Sequence, residues 1–219
     1  HHESGPGQNE IDFRYSDPLT AADNAITFRA VVRTVAAQNG LCASFQPKPL
    51  PDRDGSGMHL NISAKGSGTE DLLPAVIAGV LAKSAEITLF LNPSEESYRR
   101  LGRDKAPRYI TWSEENRSQL IRIPAAVGEQ RRAERRSADS TANPYLAYAL
   151  LIYAGLYGIA HKLTLPPASD FNLYTASAET LRTLRAVPDS LSEAIALAEA
   201  DPFVRAHLPH SVLCAFGGR

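Results

Sequence analysis

Three short segments of the chain alternate apolar and polar residues, which is the two-residue period of a β-strand with one buried face. Their polar positions carry Glu10, Asp12 and Arg14 in the first segment, His59, Asn61 and Ser63 in the second, and Arg132, Glu134 and Arg136 in the third. A solvated outer face would explain any one of these segments. Three together favour a curved sheet that gathers the charged faces into one polar pocket.

Helical patterns separate and follow these strands. The first begins near Thr20 and continues to Asn39, with Gly40 placed to end it. Other helices are predicted over residues 71–90, 143–161, 178–185 and 190–200. We also expect a short strand over residues 41–45, and only loops and strands over residues 97–136.

Composition excludes several classes of protein. The 219 residues are 43% hydrophobic, which is enough for a core of ordinary size. The net charge of -1 gives no reason to expect nucleic acid or an anionic membrane as a partner. We find no apolar run that could span a bilayer and no signal peptide. The two cysteines, Cys42 and Cys214, form neither a disulfide framework nor a zinc motif, so we expect a cytoplasmic protein.

Arginine is concentrated between residues 99 and 136, although the chain as a whole is slightly acidic. Arginine binds phosphate and carboxylate oxygens in pairs, whereas acids and histidine supply ligands for Mg²⁺ or Mn²⁺. Solvent exposure and internal salt bridges account for about half of these arginines. A nucleic-acid interface is disfavoured because no aromatic residues are interleaved with them.

Four motifs resemble those of glutamine synthetases. They are HHESGPGQNE at residues 1–10, GSGMH at 55–59, NRS with IRIP at 116–124, and DSTANPYL at 139–146. The order and spacing match from residue 1 to about residue 160. The resemblance implies that residues 1–219 form the C-terminal portion of the catalytic domain. Its fold, of the glutamine synthetase/guanido kinase type, is α+β: a curved, mostly antiparallel sheet shaped as half a barrel and backed by helices.

The resemblance also implies an activity. Enzymes of this family join ammonia to glutamate with ATP, through γ-glutamyl phosphate, using two Mg²⁺ or Mn²⁺ ions, and the full-length proteins are ring-shaped homo-oligomers. Matching positions give Glu3 and Glu10 as ligands of one ion, and His59 and Glu134 as ligands of the other. They give Gly55, Asp54, Arg100 and Arg136 as substrate-binding residues, Ser63, Asn61 and Arg117 as nucleotide-binding residues, and Arg122, Arg117 and Asp104 as catalytic residues.

Some positions depart from the family pattern. Lys105 stands where the family has a glutamate that binds ammonium, and Asp104 is the nearest acid. Asp54 replaces a frequent asparagine, and Asn61 a frequent histidine. These changes leave two alternatives open: a γ-glutamyl ligase that uses an organic amine, or a non-catalytic relative. The survival of the acids, His59 and the arginines disfavours the second.

The resemblance implies two further parts that the 219 residues do not contain. These are an N-terminal β-grasp domain and a strand with a Glu-x-Glu pair that gives one ligand to each ion. We therefore expect each metal position to be one ligand short, and these residues alone to have little or no ligase activity.

Overall fold

The structure is a computed structural model that describes residues 1–66, 68, 70–126, 128 and 131–217. The helices are α1 (Pro18–Gln38), α2 (Leu73–Ala82), α3 (Thr88–Leu91), α4 (Glu95–Arg100), α5 (Pro144–Ala160), α6 (Ala178–Arg182), α7 (Leu191–Ala200), α8 (Pro202–His207) and α9 (His210–Gly217). The strands are β1 (Leu60–Ile62), β2 (Trp112–Glu114), β3 (Ile121–Ile123) and β4 (Ala133–Arg135). Within the described ranges, no helix has the length and apolar character needed to cross a membrane.

The four strands form one small open sheet in the order β1-β4-β3-β2. The β1–β4 and β4–β3 pairs are antiparallel and the β3–β2 pair is parallel, so the sheet is mostly antiparallel. In the register, Asn61 and Arg122 both lie opposite Glu134. Paired residues of neighbouring strands share a face. The α+β prediction and the common polar face of the second and third segments are therefore confirmed.

The first predicted strand is wrong. Residues 10–15 have no regular secondary structure, and their apolar side chains face solvent, with Ile11 55%, Phe13 52% and Tyr15 89% exposed. An alternating segment becomes a strand only when a neighbouring strand takes its backbone hydrogen bonds, and no described strand lies beside it. The strand predicted over residues 41–45 is also wrong, because these residues have no regular secondary structure and no pairing partner among the described strands.

Helix α1 begins earlier than predicted. The side chain of Asp17, not of Thr20, caps its first turn by accepting from the backbone N–H groups of Leu19 and Thr20. Pro18 follows the cap, where its missing N–H is not needed. Gly40 has a φ of +70°, the left-handed conformation that glycine adopts after a helix ends, as predicted.

The helix predicted over residues 71–90 is two helices. The chain leaves α2 at Lys83 and resumes helical geometry only at Thr88. Between them, the hydroxyl of Ser84 donates to the carbonyl of Val80, and that of Thr88 donates to the carbonyl of Ser84. Local side-chain bonds of this kind offer the backbone an alternative to a continuous helix.

Helix α4 was not predicted, although its sequence contains the signals of a short helix. Ser94 and Ser97 form a reciprocal capping box at its start. Acids occupy its first turn and arginines, including Arg100, its last turn, which suits the helix dipole. The arginine-rich composition of this region obscured that pattern.

Helices α2 and α5 cross with their backbones in contact. A Cβ atom built on Gly79 would lie 2.1 Å from the carbonyl oxygen of Ala154, and one built on Gly158 would lie 2.0 Å from that of Ala75. Glycine is therefore required at both positions. The pair covers the apolar face of the sheet, with one core shared by the strands and helices through Leu60, Ile77, Val80, Leu89, Leu120, Ile121, Ala133 and Leu150.

Candidate active site

Glu134 lies at the centre of the polar face of the sheet. Its side chain is 9% exposed, and its Oε1 is 3.1 Å from Nδ1 of His59 and accepts from Nη1 of Arg136 at 3.1 Å. Its Oε2 is 2.8 Å from Nε of Arg122. The angle of that last contact falls outside hydrogen-bond geometry, so it is an ion pair, and neither atom has a hydrogen-bond partner in the part of the chain that the structure describes. One buried carboxylate thus contacts one imidazole and two guanidinium groups.

The charges of this cluster follow from its contacts. Burial alone would raise the pKa of Glu134, but the His59 hydrogen bond and the charges of Arg136 and Arg122 lower it to about 2. The pKa of His59 is lowered because burial, together with Arg136 and Arg100, outweighs the attraction of Glu134. Near neutral pH the pair is therefore a carboxylate and a neutral imidazole, the forms in which both groups bind metal ions.

The first ten residues form a closed loop that brings two acids together. His2 and Asn9 form an isolated β-bridge, and the backbone N–H of Glu3 donates to the carbonyl of Gln8 at 2.9 Å. A hydrogen bond between the Glu3 and Glu10 carboxyl groups lowers the pKa of Glu3 and raises that of Glu10. The charge of Glu134 also raises the pKa of Glu10. The loop therefore holds its acids near the polar face of the sheet.

The four acid and imidazole side chains form two pairs. In the described part of the chain, no group of three or more His, Cys, Asp or Glu side chains is arranged to hold a metal ion. The 3.1 Å between Nδ1 of His59 and Oε1 of Glu134 is close to the roughly 3 Å that separates neighbouring ligands on an octahedral ion with bonds of about 2.1 Å. A divalent cation at the Glu3–Glu10 pair would replace the proton that the two carboxyl groups share and would stabilise both carboxylates. Each pair fits part of a divalent-metal site.

Gln8 joins the acidic loop to the glycine-rich segment. Its side-chain amide accepts from the N–H of Gly5 at 3.0 Å and donates to the carbonyl of Gly55 at 3.0 Å. It also lies 3.4 Å from the hydroxyl of Ser56. Gln8 is not among the predicted site residues, although it lies within the first motif. Its amide can both donate and accept, and this is the property that the bridging position requires.

Gly55 and Gly57 make room for Arg100. A Cβ on Gly55 would lie 2.4 Å from the carbonyl oxygen of Pro47, and one on Gly57 would lie 2.6 Å from Nη2 of Arg100. Arg100 is 3% exposed, and its Nη1 donates to the carbonyl of Ser137 at 2.9 Å. Burial lowers its pKa to about 10, so it stays cationic. The glycine-containing segment therefore lies directly against the buried guanidinium group of Arg100.

The remaining predicted residues lie around this centre at different depths. Nε of Arg136 donates to the carbonyl of Arg117 at 3.1 Å, while the side chain of Arg117 is exposed and its charge lowers the pKa of Glu3. Asn61 accepts from Nε of Arg132 at 3.1 Å. Ser63 is exposed just beyond β1.

Lys105 and Asp104 face different partners. Nζ of Lys105 lies 3.4 Å from Oδ2 of Asp54 and 4.0 Å from Oε2 of Glu3, and it donates to the hydroxyl of Ser4. Asp104, with a φ of 51°, pairs with Lys48 at 2.7 Å. Lys105 is therefore directed at the acidic loop, whereas Asp104 is bound to Lys48. The catalytic role of Asp104 stays a prediction.

Comparison with known proteins identifies the family of the chain. A profile of the family described as "Glutamine synthetase, catalytic domain" matches residues 1–217. The chain is 41% identical to the glutamine synthetase of Thermus thermophilus over 99% of its length and 52% of that protein's. It is 45% identical to that of Staphylococcus aureus strain MW2, over 82% of its length and 43% of that protein's.

Solved structures show the same fold. The structure described as "GmaS/ADP complex-Conformation 1" superposes with a TM-score of 0.82 and 29% identity, over 94% of this chain and 51% of that chain. "Apo GmaS without ligand" gives a TM-score of 0.79 at the same identity. The chain spans about half the length of the curated relatives it matches. By its sequence and its fold, the chain belongs to the glutamine synthetase family, whose catalytic domain it matches.

Proposed function

We propose that the full-length protein carrying these residues is an ATP-dependent ligase that joins ammonia to glutamate to give glutamine. The observation that carries this proposal is the cluster around Glu134, where a neutral imidazole and a carboxylate lie 3.1 Å apart beside buried arginines. The reaction brings two polyanions, glutamate and ATP, into contact. A site for it needs fixed positive charge with little surrounding water.

The arginines would supply that charge. Arg100 and Arg136 are 3% and 4% exposed, so they are held rigidly and would bind the carboxylates of glutamate. Arg122, whose side chain is 16% exposed, and the exposed Arg117 lie nearer to solvent and would contact the phosphates. Asn61 and Ser63, at β1, would lie on the nucleotide side. Gly55 and Asp54 would lie on the glutamate side.

Glu3 with Glu10, and His59 with Glu134, would each hold part of the coordination shell of one Mg²⁺ or Mn²⁺ ion. Such ions neutralise phosphate oxygens and orient the nucleotide when they are bound. The remaining ligands would come from outside these 219 residues. We also propose that the full-length protein forms a homo-oligomer through parts outside these 219 residues. We propose a cytoplasmic location, where glutamate and ATP are present.

The chemistry has two steps. The γ-carboxylate oxygen of glutamate takes the γ-phosphoryl group of ATP, and ADP leaves. The amine nitrogen then attacks the acyl carbon, phosphate leaves, and the amine loses a proton. The buried guanidinium groups around Glu134 would stabilise the charge on the transferred phosphoryl group, a role in which one arginine contributes about 10³-fold or more in rate.

A second candidate is a γ-glutamyl ligase for an organic amine. The ion pair between Lys105 and Asp54, at 3.4 Å, favours it, because both residues differ from the family pattern and they contact each other at the edge of the site. The glutamate with which the family binds ammonium is replaced here by the cation of Lys105. This candidate shares the first step and differs only in the acceptor.

The test is glutamate-dependent release of ADP by the full-length protein. Turnover with ammonium supports glutamine synthesis, and turnover only with organic amines selects the second candidate. Release of no ADP with any amine, in the presence of Mg²⁺ or Mn²⁺, would contradict both and leave a non-catalytic member of the family. Arg122→Gln serves as the inactive control because its guanidinium faces Glu134 at the centre of the cluster.

A further inference from the structure

The ammonium group of Lys105 occupies a small acidic position at the edge of the site. Three oxygen groups surround it: the carboxylate of Asp54 at 3.4 Å, the carboxylate of Glu3 at 4.0 Å and the hydroxyl of Ser4. Lysine carries three N–H donors and no acceptor. The position therefore supplies one hydrogen-bond acceptor, the hydroxyl of Ser4, and two carboxylates at ion-pair distance to a primary ammonium group.

The acidic position is accessible, and Lys105 is not fixed in it. The side chain of Lys105 is 60% exposed, while those of Asp54 and Glu3 are 27% and 35% exposed. A long, exposed lysine side chain exchanges between rotamers rapidly. Its withdrawal would leave two partly buried carboxylates and a hydroxyl facing each other, although the charge of Arg117 also acts on Glu3.

A structural salt bridge would not need this arrangement. Lys48 and Asp104, which lie close by, already join residues 48–53 to residue 104 through a 2.7 Å ion pair and a bond from Lys48 to the carbonyl of Arg53. Exposed ion pairs such as that of Lys105 contribute little to stability. We therefore attribute the contact of Lys105 to a role in the candidate active site rather than to stabilisation of the fold.

We propose that Lys105 is a tethered cation that occupies the binding position of the acceptor amine and so determines which acceptors the enzyme takes. This inference rests on the proposed ligase function and deepens it. An acceptor must displace the lysine ammonium from Asp54, Glu3 and Ser4. Ammonia and primary amines, whose cations have three or more N–H donors, fit the vacated position. Secondary amines present fewer N–H groups to these three oxygen groups and should compete less well.

Steady-state kinetics of the full-length protein test the proposal. Replacing the lysine ammonium by a neutral group of similar length, in Lys105→Met, should lower KM for ammonium and methylammonium about fivefold, with kcat changed less than about twofold. The KM for dimethylammonium should fall by a smaller factor. Lys162→Met removes an equal charge from an exposed position after α5 and is the matched control. An unchanged or raised KM in Lys105→Met would overturn the proposal.

A double-mutant cycle identifies the partner. Asp54→Asn should raise KM for methylammonium more strongly in the Lys105→Met background, because in the parent the lysine already neutralises Asp54. Additive effects would show that Lys105 and the amine do not compete for Asp54, and would contradict the proposal.

A binding measurement keeps the two proposals separate. Line broadening of ¹³C-methylammonium by the full-length protein needs no turnover, and Lys105→Met should bind the ion about fivefold more tightly than the parent. Equal binding overturns the role of Lys105 whether or not the protein is a ligase. A difference in binding without ADP release with any amine would support Lys105 and reject the ligase function.

Discussion

Nδ1 of His59 lies 3.1 Å from Oε1 of Glu134, although the two residues are far apart in the sequence. The antiparallel pairing of β1 with β4 brings them together, with Asn61 opposite Glu134 in the register. Because β4 also pairs with β3, Arg122 reaches the same carboxylate from the other side. A three-residue strand thus sets the geometry of the whole cluster, and several consequences can be measured.

Glu134→Gln should weaken binding of Mn²⁺ to the full-length protein at least about tenfold, because the amide keeps the shape of the side chain and loses its charge. Electron paramagnetic resonance of free Mn²⁺ measures this. Glu114→Gln, at an exposed position of β2, is the control. Equal Mn²⁺ affinity in the two variants would contradict a metal role for Glu134.

The stability of the metal-free protein should fall at acid pH in a way that depends on Glu134. Its pKa is lowered from 4.5 to about 2, so its stabilising contribution is present above pH 4.5 and is lost as the pH falls towards 2. The contribution is on the order of 3 kcal/mol. Urea unfolding with a chelator, at pH 6.5 and pH 3, should show a larger loss in the parent than in Glu134→Gln. Equal losses would show that the pKa is not depressed.

Gly79→Ala should destabilise the protein by about 3 kcal/mol, because the new methyl group would meet the backbone of α5 2.1 Å away and force the helices apart. Chemical denaturation measures the loss. Gly155→Ala is the matched control, since its methyl group would meet only the side chain of Val76, at 2.9 Å. If both variants lose the same stability, the backbone contact is not what requires glycine at position 79.

Arg135→Met should stabilise the protein by about 1–3 kcal/mol. Arg135 is fully buried, its Nε and Nη2 have no hydrogen-bond partner among the described residues, and burial lowers its pKa to about 9. The bond from its Nη1 to the hydroxyl of Ser84 can be lost at little cost because that hydroxyl also donates to the carbonyl of Val80. The thermal midpoint measures the gain, and Arg14→Met, at an exposed position, is the control. A lower midpoint in Arg135→Met would mean that the guanidinium is stabilised by its surroundings.

The local sequence pattern predicted those strands and helices whose formation depends mainly on nearby residues. The alternation around His59 and Glu134 predicted two strands with a shared polar face, and the register confirms it. The same alternation after Glu10 predicted a strand that is absent, because pairing depends on a neighbour that the alternation does not encode. The capping box at Ser94 was readable in the sequence and was missed.

The contacts at the edge of the site required the structure. Lys105 and Asp54 were each identified as departures from the family pattern, but nothing in the sequence indicates that they touch. Nor does it show that Lys48 holds Asp104, or that Gln8 bonds to Gly55. These are contacts between loops that are distant in the chain, and loop geometry follows from packing rather than from periodicity.

The two lysine–aspartate pairs, Lys48 with Asp104 and Lys105 with Asp54, join the same two loops, but the side chain of Lys48 is 7% exposed whereas that of Lys105 is 60% exposed. Dissolved ions screen charges at a protein surface, where the Debye length is about 8 Å at physiological ionic strength, and they reach buried groups far less. Added electrolyte should therefore weaken the exposed contact of Lys105 with Asp54, while the buried Lys48 and the cluster around Glu134 keep their contacts. Ionic strength could thus be used to release Lys105 from Asp54 without disturbing the contacts of Glu134.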